Sequence, residues 1–181
     1  MVNVYADEIR LIQPSLTVLV SSTYRGMDAL LTVGWVMPVS YVPSRVAIAV
    51  SPERYSYNII AGSGMYAINI LEYEYVDSIY RAGTISGRDV EDKYKVVGLT
   101  RVKARTLPIH IVGEAIGVLE CRVINRVPTG DHELFIGEVV DAYVKGKYVR
   151  HWDPREYKPI LYISEGHFMT IDRDSIKKYF I

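Results

Sequence analysis

Arg54, Ser56 and Asn58 stand close together, just after Ser51-Pro52 and at the start of a segment with helical spacing. A guanidinium, a hydroxyl and an amide at a helix start can meet an anion. The first N–H groups of a helix lack internal acceptors, and the helix dipole favours negative charge there. Lys93, beyond Ser86-Gly87, is a second cation that such an anion would attract. The same residues also fit a solvated Arg54, a cap at Ser56 and a Lys93–Asp92 ion pair. In Thr32-Val33-Gly34-Trp35, Gly34 lets backbone approach a ligand closely. The competing reading is a buried strand with a bulge at Gly34 and Trp35 in the core. His132 follows Gly130-Asp131 in a turn, where an imidazole either orients a ligand or sits in solvent. His110, His151 and His167 show no metal-like clustering, and no metal site is expected. Cys121 is the only cysteine, so no intramolecular disulfide can form, and its place in a β-rich run predicts a buried, inert thiol.

The elements that must position these residues are mostly strands. Leu16–Ser22, Leu30–Ser40, Val46–Val50 and Met65–Leu71 are rich in β-branched residues. Pro38 removes a ladder donor and predicts an edge, a bulge or a strand end. Arg54–Ala61 reads as a short helix closed by Gly62, and Glu72–Ala82 carries Tyr75, Ile79 and Ala82 at helical spacing. Thr84–Lys93 reads as a loop opening into a short helix around Glu91–Val97. Ile109–Val127 and Leu134–Tyr148 are long β runs joined by a hairpin-like turn, and Ile160–Ile163 is a last strand. The βαβ alternation of a parallel sheet is missing. The expected fold is mainly β: an antiparallel barrel with short helical inserts. One domain is expected over residues 1–163, with 164–181 as a tail of the same unit, helical from Asp174 onward.

The 181 residues suit one domain that buries its own core. Lys+Arg and Asp+Glu both number 21, so no global basic field recruits nucleic acid, and a nucleic-acid-binding barrel is disfavoured. No apolar run approaches a membrane span, and no basic-then-apolar leader opens the chain. The expectation is a cytoplasmic protein with no membrane and no nucleic-acid partner.

An ordered set of segments resembles the flavin-reductase-like family, in particular its flavoredoxin-type branch. The set is Leu31-Thr32-Val33-Gly34-Trp35-Val36-Met37-Pro38-Val39-Ser40, Pro43, Val46 to Ser51, Arg54 to Ile60, Ser63-Gly64, Gly83 to Tyr94, Leu119-Glu120-Cys121 and Gly130 to Val139. Together they cover roughly residues 14–163. The resemblance implies an FMN-binding, Greek-key split β-barrel, an obligate homodimer and FMN near the dimer interface. It implies FMN phosphate at Arg54, Ser56, Asn58 and Lys93, the ring against Thr32, Val33, Gly34 and Trp35, and ribityl contacts from Ser40 and Ser51. It places His132 near the flavin ring and the nicotinamide pocket, to orient a ligand or steady negative charge on reduced flavin. Ser56 stands where the family usually has threonine, which keeps the hydroxyl. The implied activity is an oxidoreductase that passes electrons from NADH or NADPH through FMN to flavin, a ferric complex or a protein acceptor. The alternative is a flavoredoxin-type carrier that works with a redox partner protein, since no GxGxxG opens a βαβ unit.

Overall fold

The computed structural model describes residues 8–146, 148, 150–153, 155–172 and 174. After a short 3-10 turn (Glu8–Ile12), β1 (Ser15–Leu16) leads into a hairpin of β2 (Val18–Tyr24) and β3 (Met27–Val33). Arg25 and Gly26 both take positive φ in its two-residue turn. β4 (Val36–Ser40) and β5 (Arg45–Val50) form a second hairpin, followed by α1 (Tyr55–Ser63) and β6 (Met65–Ile70). α2 (Val76–Thr84) and α3 (Lys93–Val96) come next. β7 (Arg101–Lys103) pairs with β8 (His110–Val112), and the long hairpin β9 (Gly117–Pro128) and β10 (Glu133–Val144) follows. β11 (Leu161–Ser164) and β12 (His167–Met169) complete the described chain.

Seven antiparallel strands run in the order β3-β2-β6-β9-β10-β5-β4. Side-chain alternation explains why this sheet closes. Val18 and Val20 of β2, Leu31 and Val33 of β3, Ile48 and Val50 of β5, Tyr66 and Ile68 of β6 and Phe135 of β10 share one buried cluster. That cluster is the barrel interior. The Tyr66 hydroxyl crosses it to the Val46 carbonyl at 3.1 Å, and a Cβ on Gly137 would run into that hydroxyl. The opposite faces carry Leu19, Leu30 and Ala67, which pack outward on Ile79 and Ala82 of α2, Tyr94 of α3 and Leu107 and Ile109. Each of these large side chains contributes roughly 1.5–3 kcal/mol by its burial. The fold is a Greek-key split β-barrel with helices on one flank. A small sheet, β1-β11-β12, covers one end.

Glu120 of β9 is a fully buried charge with a complete set of donors. Its carboxylate accepts from the amides of Arg105 (2.7 Å), Thr106 (3.0 Å) and Leu107 (2.6 Å) and from the Tyr143 hydroxyl (3.0 Å). The contact pins the turn that delivers Leu107 and Ile109 to the outer core.

Several sequence expectations shift. Leu30–Ser40 is two strands, broken at Gly34-Trp35. Pro38 sits on the edge strand β4, where the register shifts between Pro38 and Ser40, as a missing donor requires. α1 runs on to Ser63 and ends at Gly64, whose φ of 63° gives the left-handed cap. Ile109–Val127 breaks after Val112, and β7 was not foreseen. The segment after Ile163 turns at Glu165-Gly166 and returns as β12, rather than running as a tail. The helix expected from Asp174 onward falls outside the described residues. No helix among the described residues is long and apolar enough to cross a membrane, and none of their His, Cys, Asp and Glu side chains cluster as a metal site.

Candidate functional site

The entry to α1 builds one end of a groove. Ser51 turns the chain by accepting the Arg54 amide at 3.0 Å, and Arg54 is an extended N-cap residue. The amides of Tyr55 and Ser56 find no backbone acceptor among the described residues. The Ser56 side chain is buried, yet its hydroxyl makes no hydrogen bond there, and neither does the exposed Arg54 guanidinium. Lys93 approaches from the first turn of α3 and donates from Nζ to the Ala82 carbonyl at 2.7 Å. Burial, and then the nearby Arg54 charge, pull its pKa down to about 8. Asp92 is occupied elsewhere: it accepts the Lys95 amide and lies 3.6 Å from Arg101. The Lys93–Asp92 pair is therefore not formed. Arg54, Ser56, Arg88 and Lys93 surround a cavity of about 180 Å³. Gly87 forms part of its wall because a Cβ there would lie 2.5 Å from the Tyr55 ring.

The groove continues over the barrel rim. A cavity of about 170 Å³ is lined by Ser15, Thr32, Val33, Gly34, Trp35, Ser51, Arg54 and His132. A third, of about 320 Å³, lies between β3, α2 and the β11–β12 hairpin, with Tyr80, Tyr162 and Phe168 as its aromatic walls. Arg54 borders all three cavities. The Ser15 hydroxyl and His132 Nδ1 are buried without hydrogen-bond partners among the described residues. Asp131 comes within 3.0 Å of that Nδ1, but out of hydrogen-bond alignment. The His132 imidazole leans on the Trp35 ring, with centroids 4.5 Å apart.

The structure thus gathers Thr32, Val33, Gly34, Trp35, Ser51, Arg54, Ser56, Lys93 and His132 around one groove. It leaves out two candidates. Ser40 lies beyond the Pro38 irregularity of β4, and Asn58 is exposed on α1; neither lines any of the three cavities. Trp35 is not a core residue: it is 41% exposed. Sequence reasoning missed Ser15, Arg88, Tyr80, Tyr162 and Phe168. The last two had a readable signal, because Glu165-Gly166 between two β-rich runs is a hairpin turn. A lone serine such as Ser15 carries none.

Two cations that form no ion pair among the described residues, an unused buried hydroxyl and free helix amides fit a phosphate, with Glu53 the one acidic side chain in the cavity wall. Beyond them lies a partly aromatic slot with unpaired polar atoms on its rim. The shape and chemistry of this groove suit a phosphate-bearing, ring-containing group. The chain belongs to the flavin reductase like domain family, whose model matches residues 12–171. It is 30% identical over 155 residues to an uncharacterized protein of Aeropyrum pernix, covering 85% of this chain and 59% of that one. It is 29% identical over 103 residues to a ferric-chelate reductase (NAD(P)H) of Archaeoglobus fulgidus, covering 56% of this chain and 59% of the relative. The flavoredoxin of Desulfovibrio vulgaris (Miyazaki F) has the same fold, with a TM-score of 0.85 at 24% identity over 99% of this chain and 98% of that one.

Proposed function

We propose that this chain binds FMN and acts as an FMN-dependent oxidoreductase. The observation that carries this reading is the convergence of Arg54, Ser56 and Lys93 on one cavity where, although Glu53 also lines it, neither cation has an ion pair among the described residues. Arg54, Lys93, the Ser56 hydroxyl and the first amides of α1 would hold the phosphate. Ser15 and Ser51 would take hydroxyls of the ribityl chain, and the Thr32–Trp35 backbone would line the ring. Bound FMN would supply the redox chemistry, taking a hydride from NADH or NADPH and passing electrons to free flavin, a ferric complex or a protein acceptor. His132, at the ring end, would orient the donor or steady negative charge. Ferric-chelate reductase activity in the Archaeoglobus relative supports an oxidoreductase of this kind.

The second reading is an electron carrier that receives electrons from a partner protein. Arg54, Arg88 and Lys93 all sit at the anion end, and Arg54 is the only Lys or Arg on the other two cavities. That leaves no second cation pair for a donor's diphosphate among the lining residues. Stopped-flow mixing of the FMN-loaded protein with NADH and with NADPH decides between the two. Fast bleaching of the flavin bands is the result expected of a reductase. Bleaching only with a protein donor identifies a carrier. A protein that takes up no FMN overturns both readings.

A further inference from the structure

We infer that Tyr57, Glu133 and Arg126 are positioning residues that hold the His132 imidazole against Trp35. The inference rests on the place given to His132 in the proposed function. His132 sits in the turn between β9 and β10, and its side chain has no hydrogen bond of its own among the described residues. Its ring touches Asp131 at 3.0 Å and Trp35, and the backbone around it sets where those contacts fall. On one side, the Thr129 amide and hydroxyl both donate to the His132 carbonyl at 2.9 Å. On the other side, Glu133 reaches across to α1, where the Tyr57 hydroxyl donates to its carboxylate. Arg126 of β9 closes the triangle, 2.7 Å from Glu133 and 2.6 Å from the Tyr57 hydroxyl. Its guanidinium also lies over the Tyr57 and Phe135 rings. Arg126, and then Tyr57, hold the Glu133 carboxyl below its ordinary value, so it stays ionised.

The geometry ties the residue after His132 to the helix whose first turn carries Ser56. The anion end of the groove and the His132 turn are thereby joined through one side-chain cluster. The cluster lies near solvent, where charge pairs add little to global stability. The Tyr57 ring packs edge-on against Phe135 and does so without its hydroxyl. Glu133 stays in register with Val50 and Pro128, so removing the hydroxyl should leave the barrel intact while loosening the turn residue before it.

The test is proton NMR of the His132 ring signals in flavin-free protein, assigned with His132→Gln. The displacement caused by the Trp35 ring current is defined by Trp35→Leu. Tyr57→Phe and Glu133→Gln are each expected to lose most of that displacement, with an unchanged melting temperature. Arg45→Gln breaks the exposed Arg45–Glu138 pair, which ties β5 to β10 at 3.3 Å, and is expected to leave it unchanged. An undisturbed His132 signal in both cluster variants, or an equal change in Arg45→Gln, would overturn the inference. FMN uptake measured in the same samples reports separately on the proposed function.

Discussion

Lys93 is a cation held where water is scarce and another cation is near. Its ammonium ionises at about 8 in the folded chain, against 10.5 for an ordinary lysine. Between those values the unfolded chain binds the extra proton, so the ligand-free protein gains stability as pH rises from about 8 to about 10.5. A bound phosphate acts in the opposite sense, because its charge favours the ammonium. FMN affinity is predicted to fall as pH rises through about 8, and a Lys93→Arg variant should lose that dependence. Fluorescence titrations at several pH values check both statements. Glu120 illustrates the other kind of buried charge, one that the fold satisfies with four donors. Glu120→Gln turns two acceptor oxygens into one and sets an NH2 group against one or two of the three backbone N–H groups. A loss of about 2–4 kcal/mol is expected, read from urea unfolding. Arg54 and Lys93 were legible as candidates through the family resemblance, since their spacing alone fitted solvated or paired cations equally. Ser15 and the exposure of Trp35 were not legible, since both depend on strands distant in sequence. Asn58 lies outside the three cavities because helical periodicity turns it away from the face that carries Ser56.

Elements decide whether these residues meet. The Ser86–Arg88 turn lies against Tyr55 only because position 87 lacks a Cβ. Gly87→Ala is predicted to push this turn off Tyr55 and weaken FMN binding severalfold, with a small change in melting temperature; titration and thermal unfolding on the same sample separate the two effects. Element type was readable from periodicity and turn chemistry: β5, α1, β6, α2 and the long β9–β10 hairpin all appear close to their expected places. Breaks inside apolar runs were harder to read. Gly34-Trp35 interrupts one run because the chain passes there from one edge strand of the sheet, β3, to the other, β4. No local pattern encodes that. The β11–β12 hairpin was hidden by its brevity, although its turn residues marked it.

At the scale of the whole molecule, β4 leaves an unpaired edge. Met37 and Val39 are exposed on it, and Tyr41 and Val42 beyond it are 93% and 92% exposed. Apolar surface of this kind on a strand edge calls for a partner. A homodimer through this face is the proposed assembly. Tyr41→Glu with Val42→Glu is predicted to shift the chain to monomer in analytical ultracentrifugation; a parent chain that is monomeric at micromolar concentration would contradict it. Barrel closure was foreseeable from the antiparallel pattern, whereas the covering of one barrel end by β1, β11 and β12 required the three-dimensional fold. The central claim is that the Arg54–Ser56–Lys93 end of the groove takes the phosphate of FMN. The most direct measurement compares FMN with riboflavin, which lacks that phosphate, in the parent chain and in Arg54→Ala with Lys93→Ala. The parent should prefer FMN by at least roughly tenfold, about 1.4 kcal/mol, and the double variant should lose that preference while keeping its fold. Equal affinity for the two flavins in the parent, or an undiminished preference in the variant, would show that the phosphate is held elsewhere.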